Sequence, residues 1–158
     1  MKKIRIAALV LAVVMLGMTM VACGSKGTKV DIKGTISLSI DGEIVFGPYE
    51  VTCQGTVDEE GNPVETPTVL QAVNEALIMN EIASENDGMG ITSVTIDGTT
   101  YANGNDEVNI YRWFYTVNGA EPKAGRAGNN ALVVGDDIVY TFHTEPINPD
   151  DLTPVYGE

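Results

Sequence analysis

The chain has 158 residues, with 22 Asp and Glu against 9 Lys and Arg, two Cys, one His and one Trp. That length fits a single domain with a tail and excludes a large multidomain enzyme. A formal net charge of -13 argues against nucleic acid as a partner, because holding phosphates requires clustered Lys and Arg that release counterions.

Lys2, Lys3 and Arg5 precede an uncharged, largely apolar run from Ile6 to Ala22. A basic start, an apolar stretch and a small-residue boundary read as an export signal, and the run is short for a spanning helix. Met20-Val21-Ala22-Cys23-Gly24-Ser25 resembles the lipobox of bacterial lipoproteins. The resemblance implies that residues 1–22 are a signal peptide that is removed. It also implies that Cys23 is lipidated and anchors the body in the cell membrane, facing outside the cytoplasm. Two acyl chains make such anchoring stable, since each buried methylene contributes about 0.8 kcal/mol. Loss of 1–22 removes three of the nine basic residues and no acidic one, so the mature chain is more acidic than the whole. Cys53 is then left without an intramolecular partner, and no disulfide framework is expected although the compartment permits one.

Residues 23–33 are short, polar and bear Lys26, Lys29 and Lys33, as expected of a tether. The body is expected over 34–144. There Ile36, Leu38 and Ile40 alternate with Thr35, Ser37 and Ser39, the period of a half-buried strand. Asp41-Gly42 is a tight turn, and a second strand from Glu43 to Gln54, broken at Gly47-Pro48, completes a hairpin with Tyr49, Val51 and Cys53 on one face. Residues 54–66 read as a loop. Thr68 and Gln71 are spaced as a capping box, and Val69, Val73, Ala76, Leu77 and Asn80 recur at helical steps. Strands follow at 91–96, 99–102, 110–117 and 136–143, with turns at Asp97-Gly98 and Asn118-Gly119. Pro146, Pro149 and Pro154 among acids predict an extended tail over 145–158. The expected class is α+β, with one helix packed on a mixed sheet built from two hairpins plus additional strands, a β-grasp-like arrangement.

Thr68-Val69-Leu70-Gln71-Ala72-Val73, Gly90-Ile91-Thr92-Ser93-Val94 with Asp97-Gly98, Tyr111-Arg112-Trp113-Phe114-Tyr115-Thr116-Val117-Asn118-Gly119 and Leu132-Val133-Val134-Gly135-Asp136-Asp137-Ile138 resemble the transcobalamin C-terminal-like family of β-grasp modules. The resemblance spans about residues 34–143. It implies the β-grasp fold and a corrinoid, cobalamin-like ligand.

On the 110–117 strand Tyr111, Trp113, Tyr115 and Val117 are expected in the core. Arg112, Phe114 and Thr116 then occupy the open face, joined by Val139, Thr141 and His143 of the last strand. After Lys33 the only basic residues are Arg112, Lys123 and Arg126. The long Gly-rich loop over 119–130 can bring two of these cations and several backbone amides around an anion. The expected ligand site is Arg112, Phe114, Thr116, Lys123, Arg126 and His143.

Cys53 reads as a buried small hydrophobe. No nucleophile elbow, phosphate loop or zinc-protease motif is present, so no enzymatic activity is expected and no cofactor is required. The acidic turns at 58–62 and 103–107 offer oxygen ligands without EF-hand spacing, and solvated turns are the plainer reading. Two functions remain open. One is capture of a small ligand on the open face. The other is docking of a surface or transporter protein with no small molecule bound.

Overall fold

The computed structural model describes residues 27–122 and 125–147. Strand β1 (Thr28–Ile40) pairs antiparallel with β2 (Glu43–Val57). Between them Asp41 and Gly42 both take positive φ, 48° and 91°, the twist a two-residue hairpin turn requires.

β1 begins seven residues before the strand expected from Thr35, so Thr28–Lys33 belong to the sheet and not to a tether. Val30 and Ile32 are half-buried and continue the even-numbered apolar face of Ile36 and Leu38, while Lys29, Asp31 and Lys33 point to solvent. Gly34 occupies the intervening even position. A Cβ there would lie 3.0 Å from the Asp136 carbonyl oxygen and 3.3 Å from Leu132 Cδ1, so the site has no room for the apolar side chain that alternation predicts.

The break in β2 is a bulge: Tyr49 faces Ile36, Phe46 faces Leu38, and the register shifts between them. Gly47 has φ 87°, and a Cβ on it would stand 2.3 Å from the Ile36 carbonyl oxygen. This approach brings the bulged backbone down on Ser37. Ser37, expected on the solvent side, is accordingly buried, and Ser39 further along the same strand is buried as well.

Strand β3 (Pro63–Glu65) pairs only with the end of β2, at Thr56 and Val57, and lies within the expected 54–66 loop. Helix α1 (Val69–Met79) opens on both bonds of the capping box: Gln71 N–H donates to Thr68 Oγ1 at 3.2 Å and Thr68 N–H to Gln71 Oε1 at 2.7 Å. Such a cap stabilises by about 1 kcal/mol. Val69, Leu70, Ala72, Val73, Ala76 and Leu77 form the buried face. Asn80 instead ends the helix, its amide donating to the Ala76 carbonyl at 2.8 Å.

A separate three-stranded sheet follows, with β5 (Ile91–Ile96) between β4 (Ser84–Asn86) and β6 (Thr99–Ala102). The chain then returns to the main sheet through β7 (Gly104–Asn105), β8 (Asn109–Val117) and β9 (Asp136–Pro146). The main sheet runs β3-β2-β1-β9-β8-β7. Its neighbours are antiparallel except β1 and β9, which run parallel from Gly34 opposite Asp136 to Ile40 opposite Phe142. β9 extends into the segment expected as tail, placing Glu145 opposite Ile110. Residues 148–158, the rest of that tail, lie outside the described residues, as do the signal peptide and Cys23.

The described residues are thus α+β, with one α-helix on a mostly stranded framework. The core holds Ile36, Leu38, Val73, Leu77, Ile138 and Tyr140, all at most 2% exposed. No helix among the described residues is long and apolar enough to cross a membrane.

Candidate functional site

Alternation along β8 divides its side chains as the sequence predicts. Trp113 and Tyr115 are buried, and Tyr115 stacks on Tyr140 with ring centroids 5.2 Å apart. Phe114 is 39% exposed on the opposite face. Arg112 lies opposite His143, Phe114 opposite Thr141, and Thr116 opposite Val139. The rings of Phe114 and His143 meet edge to face at 5.9 Å, and the Arg112 guanidinium carbon sits 5.2 Å from the Phe114 centroid. Four expected site residues, Arg112, Phe114, Thr116 and His143, therefore share one surface.

Both described arginines are already matched by carboxylates. Arg112 Nη2 lies 2.8 Å from Glu145 Oε2, and Arg126 Nη1 lies 3.3 Å from Asp87 Oδ2. Arg126, one of the two loop cations expected to meet an anion, is thus engaged by a carboxylate 39 residues away in sequence, and Arg112 of the open face by one 33 residues away. Lys123 lies outside the described residues.

Two loops meet beside β8. Gly128 N–H donates to the Met89 carbonyl at 2.9 Å, and a Cβ on Gly128 would stand 2.6 Å from the Gly88 carbonyl oxygen. Only a glycine permits that closeness. Asp87 stiffens its side by accepting from the N–H groups of Met89 and Gly90 at 2.9 and 2.8 Å. Those backbone bonds, with Arg126 a smaller influence, hold its carboxyl below the ordinary value.

Between these loops and the outer edge of β8 lies a groove of about 640 Å³. Trp113 to Thr116 and Tyr140 form its floor, Met89 to Ile91 one wall, and Glu121, Pro122 and Arg126 part of the rim. Phe114, Thr116, Arg126 and His143 of the expected set line it, together with Thr141 and Glu145; Arg112 stands next to it through Phe114 and Glu145. Asn103 closes one end, accepting the Trp113 N–H at 2.8 Å, while Trp113 Nε1 donates to the Tyr101 carbonyl at 2.9 Å. These bonds tie the small sheet to the large one and fix the indole.

The Tyr140 side chain is buried beneath the groove, and its hydroxyl has no partner among the described residues. Burial pushes that phenol well above its ordinary value, so it stays protonated. An unpartnered buried hydroxyl costs about 1–3 kcal/mol, and it marks a place where polarity is kept against stability. Asn103, Asp87, Tyr140 and Glu145 are not among the residues expected at the site: the sequence places Asn103 in an acidic turn, Tyr140 on a strand and Glu145 at the start of a tail. Asp87-Gly88 and Asn103-Gly104 carry a local signal, that of a turn.

Cys53 packs in the core, its thiol raised by burial and then by the Glu75 carboxylate, whereas His143 is exposed on the other face of the sheet. The two form no nucleophile and base pair. In the acidic turns the carboxylates serve their own backbone: Asp58 accepts from Glu60 and Asn62 N–H, and Asp106 from Val108 and Asn109 N–H. Among the described residues no three His, Cys, Asp or Glu side chains gather as a metal site. No protein-family model, curated protein or solved structure matches the chain.

Proposed function

We propose that this chain is a lipid-anchored, extracytoplasmic binding module of the β-grasp type that captures a ligand in the groove beside β8. Support for the β-grasp reading comes from the long strands of the main sheet: an opening hairpin, a helix, then β8 and β9, with β1 and β9 parallel at the centre of the sheet. Support for anchoring comes from the basic start, the apolar run and Cys23. A Cys23→Ala chain is expected to leave the membrane fraction.

The observation that carries the binding reading is the groove itself. It is concave, as ligand sites are, it offers Trp113, Phe114 and Tyr115 beside polar groups, and its walls are loops joined by a glycine contact and an ion pair. The transcobalamin-like residue pattern makes a corrinoid the first ligand to test. The full chain in detergent, titrated with cobalamin and cobinamide, is expected to give a saturable change in visible absorption, quenching of Trp113 fluorescence and a raised melting temperature. Absence of all three at high ligand concentration removes the corrinoid. Docking of another protein is the second reading, and the unpaired backbone at the floor of the groove favours it.

A further inference from the structure

Half of the β8 backbone faces away from β9, because hydrogen-bonded positions alternate along an antiparallel pair. Asn118 N–H donates to the Asp137 carbonyl at 2.7 Å, which sets the even-numbered residues toward β9 and the odd-numbered ones outward. Of the outward groups, Tyr111 pairs with Gly104 of β7, Trp113 N–H donates to Asn103 Oδ1, and Val117 N–H donates to the Ala120 carbonyl at 2.9 Å. Between those caps remain the Trp113 carbonyl and both backbone groups of Tyr115. None of the three has a protein partner among the described residues. The sheet edge therefore has a gap, closed at both ends and opening into the groove.

The charge around the gap narrows what can fill it. Asp87, Glu121 and Glu145 line the groove against Arg126. Arg126 is matched to Asp87 and the neighbouring Arg112 to Glu145. Among the described residues an anion finds no unmatched cation, and Glu121 stands at the rim with no ion-pair partner.

We infer that the groove takes an extended segment of another polypeptide, carrying lysine or arginine, which adds as a short strand to β8 opposite Trp113 to Tyr115. Backbone pairing supplies affinity and the flanking side chains supply selection, as in other strand additions. At roughly 3.3 Å per residue, about three residues of the partner fill the gap. This inference rests on the groove being the binding site and names the partner class for it.

The test uses the full chain in detergent with two end-blocked pentapeptides, Val-Lys-Val-Lys-Val and Val-Glu-Val-Glu-Val, alongside cobinamide. Trp113 fluorescence reads occupancy of the groove, and amide hydrogen exchange at Tyr115 reads backbone pairing. The lysine peptide is expected to bind about ten-fold tighter than the glutamate peptide, to lose affinity with added salt, and to slow Tyr115 exchange. Glu121→Lys is expected to weaken the lysine peptide several-fold without lowering the melting temperature. Binding with no slowing at Tyr115, or equal binding of the two peptides, overturns the inference. If cobinamide quenches Trp113 and neither peptide does, the peptide class falls while the groove stands. If nothing perturbs Trp113, both fall.

Discussion

The main sheet has two long edges, and they are treated differently. Beyond β3, which covers only Thr56 and Val57, β2 has no strand on its outer side toward Glu43 among the described residues. That edge is bent by the Gly47-Pro48 bulge and carries Glu43 and Glu50, the latter 3.1 Å from Lys33. Bulges, proline and charge are the devices by which natural sheets discourage strand addition. The β8 edge lacks these devices between Trp113 and Tyr115. It is interrupted instead by side-chain and turn caps, and what is left open is walled by two loops. One edge is protected against pairing in general, whereas the other is shielded from all but a narrow occupant.

The strongest way to break this contrast is Gly47→Ala. Its Cβ would fall 2.3 Å from the Ile36 carbonyl oxygen at a φ of 87°, so the bulge must reorganise at a cost of about 3 kcal/mol. A lower chemical-denaturation midpoint measures this, and concentration-dependent self-association is expected once the edge loses its bend. On the other side, Gly128→Ala forces the two loops apart at the Gly88 carbonyl. A loss of about 1–2 kcal/mol is expected, together with weaker quenching of Trp113 by whatever fills the groove.

Arg126→Ala removes an ion pair whose side chains are 59% and 48% exposed, so the stability change is about 0.5 kcal/mol or less in thermal melts. Its value is as a control, since the groove must survive it if the glycine contact is the main tie.

The smallest effect is confined to acid. Asp106 anchors the start of β8 through the Tyr111 hydroxyl at 2.6 Å and the N–H groups of Val108 and Asn109. These bonds, Tyr111 first, hold its carboxyl below the ordinary carboxylate value. A group depressed in the folded state stabilises above its unfolded value, and that contribution is lost as pH falls through the folded one. Asp106→Asn should therefore flatten the decline in melting temperature below about pH 4.

Local signals made much of this legible. The three turns at Asp41-Gly42, Asp97-Gly98 and Asn118-Gly119 all take the positive φ their residues favour, and Thr68 with Gln71 caps the helix as spaced. The division of β8 and β9 into core and open faces follows from alternation alone. What stayed hidden depends on distant partners. Gly34 masked the continuity of Val30 and Ile32 with the rest of β1, because the space beside it is filled by Asp136 and Leu132. The burial of Ser37 depends on a bulge in the neighbouring strand. Both arginines of the expected site looked free because Glu145 and Asp87 stand more than thirty residues away. The groove arises where glycines in separate loops touch, and single-chain periodicity carries no trace of that.

The parallel seam between β1 and β9 also sets the order of events in folding. Thr35 Oγ1 donates to Asp137 Oδ1 at 2.7 Å across a sequence separation of 102, and Gly135 N–H reaches the Lys33 carbonyl at 2.8 Å. The opening hairpin has no neighbour on its inner side until the final strand has been synthesised. Pairings so remote in sequence slow folding, because the loop must close before the contact rewards it. The main sheet thus stays incomplete until the chain has been made as far as β9, so the parts of the core that β1 and β9 share close last.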